Sequence, residues 1–323
     1  MQCDRTTLRR TTENASFLNA SRKVSSFRVL PLGTMSMRTR DRSPTLPREV
    51  ILLMTYAQLD LYLTKFSVEE LGLVLLLGRH GTGKSESVRR ALSAPASGDH
   101  IPQNVVRTPL YVEGHMQPFG LYRQLWEYRN QPIVLDDLDR LYADPGCVRL
   151  LKPLCNTVKI KRLHWLTNLT MNEGIVPSTF TTSSNVILIA NEWKSLNPNV
   201  RALEDRAIIL HFNPSNEELH RKVGEWFGDP EVYEFLGQIS TLAPTISMRH
   251  YCKGAQLRRA GFDDWRTSLL QMMMPDAREA CVIAVQLDQR LLSEQERVQQ
   301  FIASTKCSRA TYFRLKSKLA GWR

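Results

Sequence analysis

Eight consecutive residues, Gly78-Arg79-His80-Gly81-Thr82-Gly83-Lys84-Ser85, fit the pattern G-x-x-x-x-G-K-[ST] at every defined position. Residue types and spacing both matter here. The glycines (Gly78, Gly81, Gly83) let the backbone bend until successive N–H groups, with Thr82 among them, point at a phosphate. A helix opening at Lys84 adds the partial positive charge of its N-terminus. Lys84 is then placed to reach β- and γ-phosphates, and the Ser85 hydroxyl to ligate Mg²⁺. A second constellation lies fifty residues on. Pro132-Ile133-Val134-Leu135 is an apolar run that stops at two carboxylates, Asp136 and Asp137. Ligands of open α/β sheets bind at such carboxyl-end edges. Asp136 fits a Mg²⁺-holding aspartate, and Asp137 a base that polarises the attacking water. The bland alternative is that these acids cap the next helix, where acids are favoured.

These groups need a scaffold, and the chain supplies short apolar runs alternating with helical stretches. Strands are expected at Leu73–Leu77, Leu110–Val112, Ile133–Leu135, Val186–Ile189 and Ala207–Phe212. Helices are expected near Lys84–Leu92, Gly120–Tyr128 and Cys147–Cys155, and a helical period through Val50, Leu53, Ala57 and Leu61 covers Arg48 to about Phe66. Near-continuous apolar strands separated by helices predict a parallel sheet covered on both faces. From Pro214 the pattern is helical, with Ser215 and Glu218 spaced as a capping box. The expected organisation is a basic tail (1–47), an α/β core (48–213), an α-helical lid (214–292) and a small basic helical segment (293–323).

Three further elements complete the set. The strand Val186–Ala190 ends in Asn191, Arg201 and Arg206 precede the last strand, and Arg249 stands early in a helix. With Gly78–Ser85 and Pro132–Asp137, these residues make the chain resemble the AAA+ ATPases of the P-loop NTPase superfamily over about 48–265. The Asp-Asp-x-Asp-Arg strand end and the Leu-Glu-Asp-Arg segment are similar to ATPases of bacterial mobile elements and phages. The resemblance implies an αβα sandwich, ATP hydrolysis with Mg²⁺, and a homo-oligomeric ring or partial ring. It also implies sensor roles for Asn191 and Arg249, and an arginine reaching the neighbour's γ-phosphate: Arg206 first, Arg201 second. Both arginines are equally readable as surface ion-pair residues. One departure stands out, since the family usually carries Asp-Glu where this chain has Asp136-Asp137. The shorter side chain leaves slow hydrolysis, or a nucleotide-gated switch, open.

At the carboxyl end, Ser293 and Glu296 form a capping box for an amphipathic helix with Val298, Phe301 and Ile302 on one face. A short turn at Thr305-Lys306-Cys307 leads to a basic helix from Ser308 to Leu319. Two helices and a tight turn fit a helix-turn-helix whose second helix enters a DNA groove. In that reading Ala310, Phe313 and Leu319 are buried, while Arg309, Thr311, Tyr312, Arg314, Lys316 and Lys318 are exposed for DNA. The alternative is a solvated basic helix packing on the lid.

Charge distribution sharpens the partner question. Of the net charge of +11, residues 1–50 carry +6 and residues 293–323 carry +5, and the rest is neutral. Positive charge confined to the ends describes a neutral machine with basic appendages. DNA is the expected partner, with a protein client as the other possibility. The longest apolar run, Leu73–Leu77, is far below the roughly 18 residues of a spanning helix, which excludes a membrane-spanning protein. Six cysteines without any C-x-x-C pair predict reduced thiols and a cytoplasmic location, not a disulfide framework or zinc site. The Arg- and Ser-rich beginning lacks an apolar h-region. It fits a solvated tail, a start codon placed too early with Met35 or Met37 as the true start, or a transit peptide.

Overall fold

Strand β2 (Leu73–Leu77) carries five apolar residues in succession, and all five are buried. A strand with no polar face must be covered on both sides and lie inside a sheet. It does so in the computed structural model, which describes residues 49–93, 108–114, 116–136, 144–165, 176–192, 203 and 205–320. Among these residues the sheet has six strands in the order β1-β8-β2-β7-β4-β3. Its other strands are β1 (Ile51–Leu53), β3 (Leu110–Val112), β4 (Ile133–Asp136), β7 (Val186–Ala190) and β8 (Ile208–Phe212), and every pairing is parallel. Alternate residues of β2 enter opposite layers. Leu73, Leu75 and Leu77 pack with Leu121, Leu125 and Leu151 of helices α3 (Pro118–Glu127) and α4 (Pro145–Leu154). Val74 and Leu76 pack with Leu59, Leu63 and Val88 of α1 (Tyr56–Ser67) and α2 (Lys84–Ser93). This is the expected three-layer α/β architecture.

Register puts the chemistry at one edge. Leu77 lies opposite Ala190 of β7, and Asp136 lies opposite Ile189. The strand ends bearing Gly78, Asn191 and Asp136 are therefore adjacent along the carboxyl edge, with β7 between the other two.

Two features differ from the sequence expectation. The helical period read from Arg48 does not hold at its start. Ile51–Leu53 forms strand β1, and the helix begins at Tyr56 behind a complete capping box of Thr55 and Gln58. A run of Val, Ile and Leu satisfies both periods over so few residues, and pairing with β8 decides it. The helix buries Tyr56, Leu59, Leu63 and Phe66, leaving Ala57 and Leu61 exposed. The second is a small antiparallel hairpin, β5 (Lys161–His164) with β6 (Thr179–Thr182), that the sequence reading leaves out.

From Asn216 onward the described chain is helical: α5 (Asn216–Val223), α6 (Pro230–Ile239), α7 (Met248–Arg259), α8 (Trp265–Met273), α9 (Ala277–Leu287), α10 (Glu294–Thr305) and α11 (Arg309–Ala320). One hydrophobic core runs through all of them, from Leu219 to Leu319. The last two helices thus share the core of the lid. No described helix is long and apolar enough to cross a membrane. The described cysteines are all free thiols.

The phase of α11 also corrects the sequence reading. The buried stripe is Tyr312, Leu315 and Leu319, at i, i+3 and i+7, while Ala310 and Phe313 face outward. Tyr312, expected on a DNA-facing surface, is 0% exposed. Its ring packs edge-on against Phe301, and its hydroxyl donates to Glu294 Oε1 at 2.8 Å. The amphipathic character of Tyr explains the reversal, because a ring that buries well with a partnered hydroxyl outcompetes Phe313 where the half-buried Glu294 carboxylate accepts that hydroxyl. Ile302 likewise turns outward while Val298 and Phe301 are buried.

Removing the Tyr312 ring should therefore cost stability. Tyr312→Ala is expected to lose about 3–5 kcal/mol, and Arg314→Ala, on the exposed face, to stay within about 0.5 kcal/mol of the parent. Urea unfolding of both variants tests this assignment of faces; equal midpoints would overturn it.

Candidate active site

The loop between β2 and α2 is built around a buried cation. Lys84 is 5% exposed. Its ammonium donates to the carbonyls of Gly78 (2.6 Å) and Arg79 (2.9 Å) and to Asn191 Oδ1 (3.2 Å). Burial pulls its pKa down to about 8; the Arg249 charge pulls the same way, while Asp136 opposes it. The loop holds this curl through left-handed backbone at Gly81 (φ 71°) and Gly83 (φ 79°). Side chains there would also collide with the lid, since a Cβ on Gly81 would stand 2.6 Å from Ser247 Cβ, and one on Gly83 2.7 Å from Met248 Sδ. Thr82 turns its side chain inward, where its hydroxyl donates to the Arg79 carbonyl at 3.1 Å. The side chain thus shapes the turn.

Beside the ammonium, the Ser85 hydroxyl donates to Asp136 Oδ2 at 2.5 Å. A hydroxyl and a carboxylate, from α2 and β4, form a pair of hard oxygen donors. Among the described residues no cluster of three or more His, Cys, Asp or Glu could hold a metal ion. Two protein oxygens fit Mg²⁺, which keeps several waters and takes the rest of its shell from phosphates. The curled loop with its buried ammonium fits the phosphates themselves.

The lid closes directly on the loop. Met248 N–H, at the start of α7, donates to the Gly81 carbonyl at 2.8 Å. This brings Arg249 close enough for its charge to act on Lys84. The Tyr56 hydroxyl also donates to the loop, at the Thr82 carbonyl, at 2.8 Å. Glu218 caps in an unexpected direction: Ser215 accepts from its N–H, but its carboxylate takes the Tyr56 N–H at 2.9 Å. Arg79, in a variable position of the motif, donates to the Pro214 carbonyl (2.9 Å) and to Asn216 Oδ1 (3.4 Å). Asn216 in turn accepts from Ile246 N–H and donates to the carbonyls of Ser240 and Ala243. The sequence reading gives Tyr56, Arg79, Asn216 and Ser247 no role. Their contacts join residues up to 166 positions apart, and no short motif encodes them.

Of the sequence-predicted residues, Gly78, Gly81, Thr82, Gly83, Lys84, Ser85, Asp136, Asn191 and Arg249 come together here. Arg206 does not. It is exposed in the turn before β8, with Asp205 at 4.0 Å. Because Leu77 pairs with His211 at the far end of β8, Arg206 lies at the opposite edge of the sheet from its own loop. Asp137 and Arg201 lie outside the described residues. At the carboxyl end Arg309 and Arg314 are exposed, Lys316 pairs with Glu294 at 2.7 Å, and the Thr311 hydroxyl lies 3.1 Å from Ser308 Oγ.

Over 162 residues the chain is 25% identical to an uncharacterized 36.7 kDa protein in the nrdC-mobD intergenic region of Enterobacteria phage T4. The match takes in 46% of this chain and 48% of the phage protein, so the chain spans about half the length of that relative. Among solved structures, one variant of RuvB from Thermotoga maritima is similar at a TM-score of 0.45 and 11% identity, over 80% of this chain and 85% of its own. A second RuvB variant gives 0.40 and 14%, over 80% and 82%. No family model matches the chain.

The helix that carries Arg249 has a titratable cap. His250 Nδ1 accepts the Ser247 N–H at 3.2 Å, which only the neutral ring can do. Burial first, and Lys253 second, lower its pKa to about 4. A base with a depressed folded pKa binds fewer protons folded than unfolded between that value and its ordinary 6.5, so stability falls as pH drops through this window. His250→Gln preserves the cap chemistry without the titration. The parent should lose up to about 3 kcal/mol relative to this variant between pH 6.5 and 4, reduced by solvent reaching the ring. Thermal unfolding across that range measures it; parallel pH profiles would refute it.

Proposed function

We propose that the chain is an AAA+-type ATPase that binds ATP with Mg²⁺, hydrolyses it, and couples the cycle to DNA binding or remodelling. The work fits a helper in transposition, replication or mobile-element maintenance. The observation that carries this reading is the convergence of Lys84, Ser85, Asp136 and Asn191 at one sheet edge beneath a lid helix bearing Arg249.

Ser85 and Asp136 would hold the metal, which when bound offsets charge on the phosphates. The Lys84 ammonium exchanges its loop carbonyls for phosphate oxygens, and the low local dielectric strengthens that contact. Asn191, already on the ammonium, fixes the polar end of β7 beside the reacting group. Asp137 follows Asp136 directly in sequence and is the base assigned to the attacking water. Arg206 serves a neighbouring copy in a ring or partial ring. Its exposure, on the edge away from its own Lys84, supports a role between subunits. The basic ends of the chain, +6 and +5, supply the attraction for DNA.

A second reading is favoured by Asp137, one methylene shorter than the glutamate usual in the resembling family. The chain would then be a nucleotide-gated DNA-binding switch with little turnover. A protein client in place of DNA is the third reading.

Steady-state phosphate release with and without DNA separates them. Lys84→Ala and Asp136→Asn should lower the rate at least about 100-fold. Arg206→Ala should lower it about 10³-fold or more while leaving binding of a fluorescent ATP analogue intact. Nucleotide binding with parent turnover no higher than that of Lys84→Ala would establish the switch. Turnover indifferent to DNA, with no salt-dependent DNA affinity, would favour the protein client.

A further inference from the structure

The outward face of α11 differs in composition from the one its sequence implies. Arg309, Ala310, Phe313, Arg314 and Ser317 are exposed, and their spacing sets them along one side of the helix. No Asp or Glu occurs after Glu296 in the chain. Glu294 and Glu279 are engaged on its flanks by Lys316 and Lys318. The exposed face is therefore cationic and unopposed from within its own helix. At its centre stands Phe313, 37% exposed. The Arg309 guanidinium lies 5.5 Å from the ring centroid, and the ring meets the buried Tyr312 edge-on at 5.2 Å. Tyr312 is fixed by Glu294 and Gln286, so Phe313 rests on an anchored support. Presenting an ordered ring costs little conformational entropy on binding.

A helix that reads a duplex groove needs a row of hydrogen-bonding groups aimed outward. Here the Tyr312 hydroxyl, the Lys316 ammonium and the Thr311 hydroxyl have partners inside the protein. What remains outward includes an aromatic ring with the Arg309 guanidinium beside it and the exposed Arg314 next to it in the chain. That combination suits unpaired bases, whose faces stack on aromatic rings while cations track the backbone.

We infer that this face of α11 binds single-stranded nucleic acid, with Phe313 stacking on an unpaired base and Arg309 and Arg314 holding the flanking phosphates. It rests on the reading of the chain as a DNA-coupled ATPase, and narrows the substrate from DNA in general to unpaired strands.

Fluorescence anisotropy of the full chain with a labelled 20-nucleotide oligothymidylate and a labelled 20-base-pair duplex tests it. Phe313→Ala should weaken single-strand binding about 5- to 100-fold and change duplex binding less than about twofold. Phe313→Trp should restore single-strand binding. Arg314→Ala should lower the salt slope on the single strand by about 0.7, whereas Phe313→Ala leaves that slope unchanged. An unaltered thermal midpoint for Phe313→Ala shows that the fold is intact. Equal losses on both DNAs would overturn the stacking role. So would an unchanged single-strand affinity in Phe313→Ala when Arg309→Ala and Arg314→Ala weaken it, and in that case DNA binding itself stands. If the parent binds neither probe in a salt-dependent way, the DNA reading falls and this inference falls with it.

Discussion

Holding an ammonium out of water is costly unless every proton finds an oxygen. Lys84 meets that condition with two loop carbonyls and the amide of Asn191. The loop must curl back over its own lysine, which demands left-handed backbone and leaves no room for side chains at Gly81 and Gly83. The curl is pinned by Tyr56 at the Thr82 carbonyl and by Met248 at the Gly81 carbonyl. That second contact lies one residue from Arg249, whose charge acts on the ammonium. Much of the arrangement around the site thus follows from one buried charge.

The sheet order does the remaining placement. Asp136 comes within hydrogen-bond distance of Ser85 although β4 and β2 are not neighbours. Strand β7 between them fills the gap with Asn191, so three strand ends act on one small volume. The two apolar layers fix these heights, because a slip of one residue in β2 would send Leu75 and Val74 to the wrong faces.

The loop motif and the apolar strands were legible in the sequence because both are local. Five of the six sheet strands, and the helices after them, fall where alternation and apolar runs place them. Strand β1 was misread because Val50 to Leu53 fits two periods at once, and only β8, some 160 residues later, chooses between them. Phase in α11 failed for a related reason. Tyr312 and Phe313 are adjacent aromatics of similar burial value, and Glu294 and Gln286 decide which turns inward. The clasp of Arg79, Asn216 and Ser247 was invisible because each is an ordinary polar residue whose importance lies in a distant partner.

Because the lid and the last two helices share one core, they cannot be displaced independently. Helix α7 touches the loop, α8 packs on α7, α9 on α8, and α10 and α11 on α9. The backbone contact at Met248 and the exposed ring of Phe313 are thus the two ends of one continuously packed stack of helices.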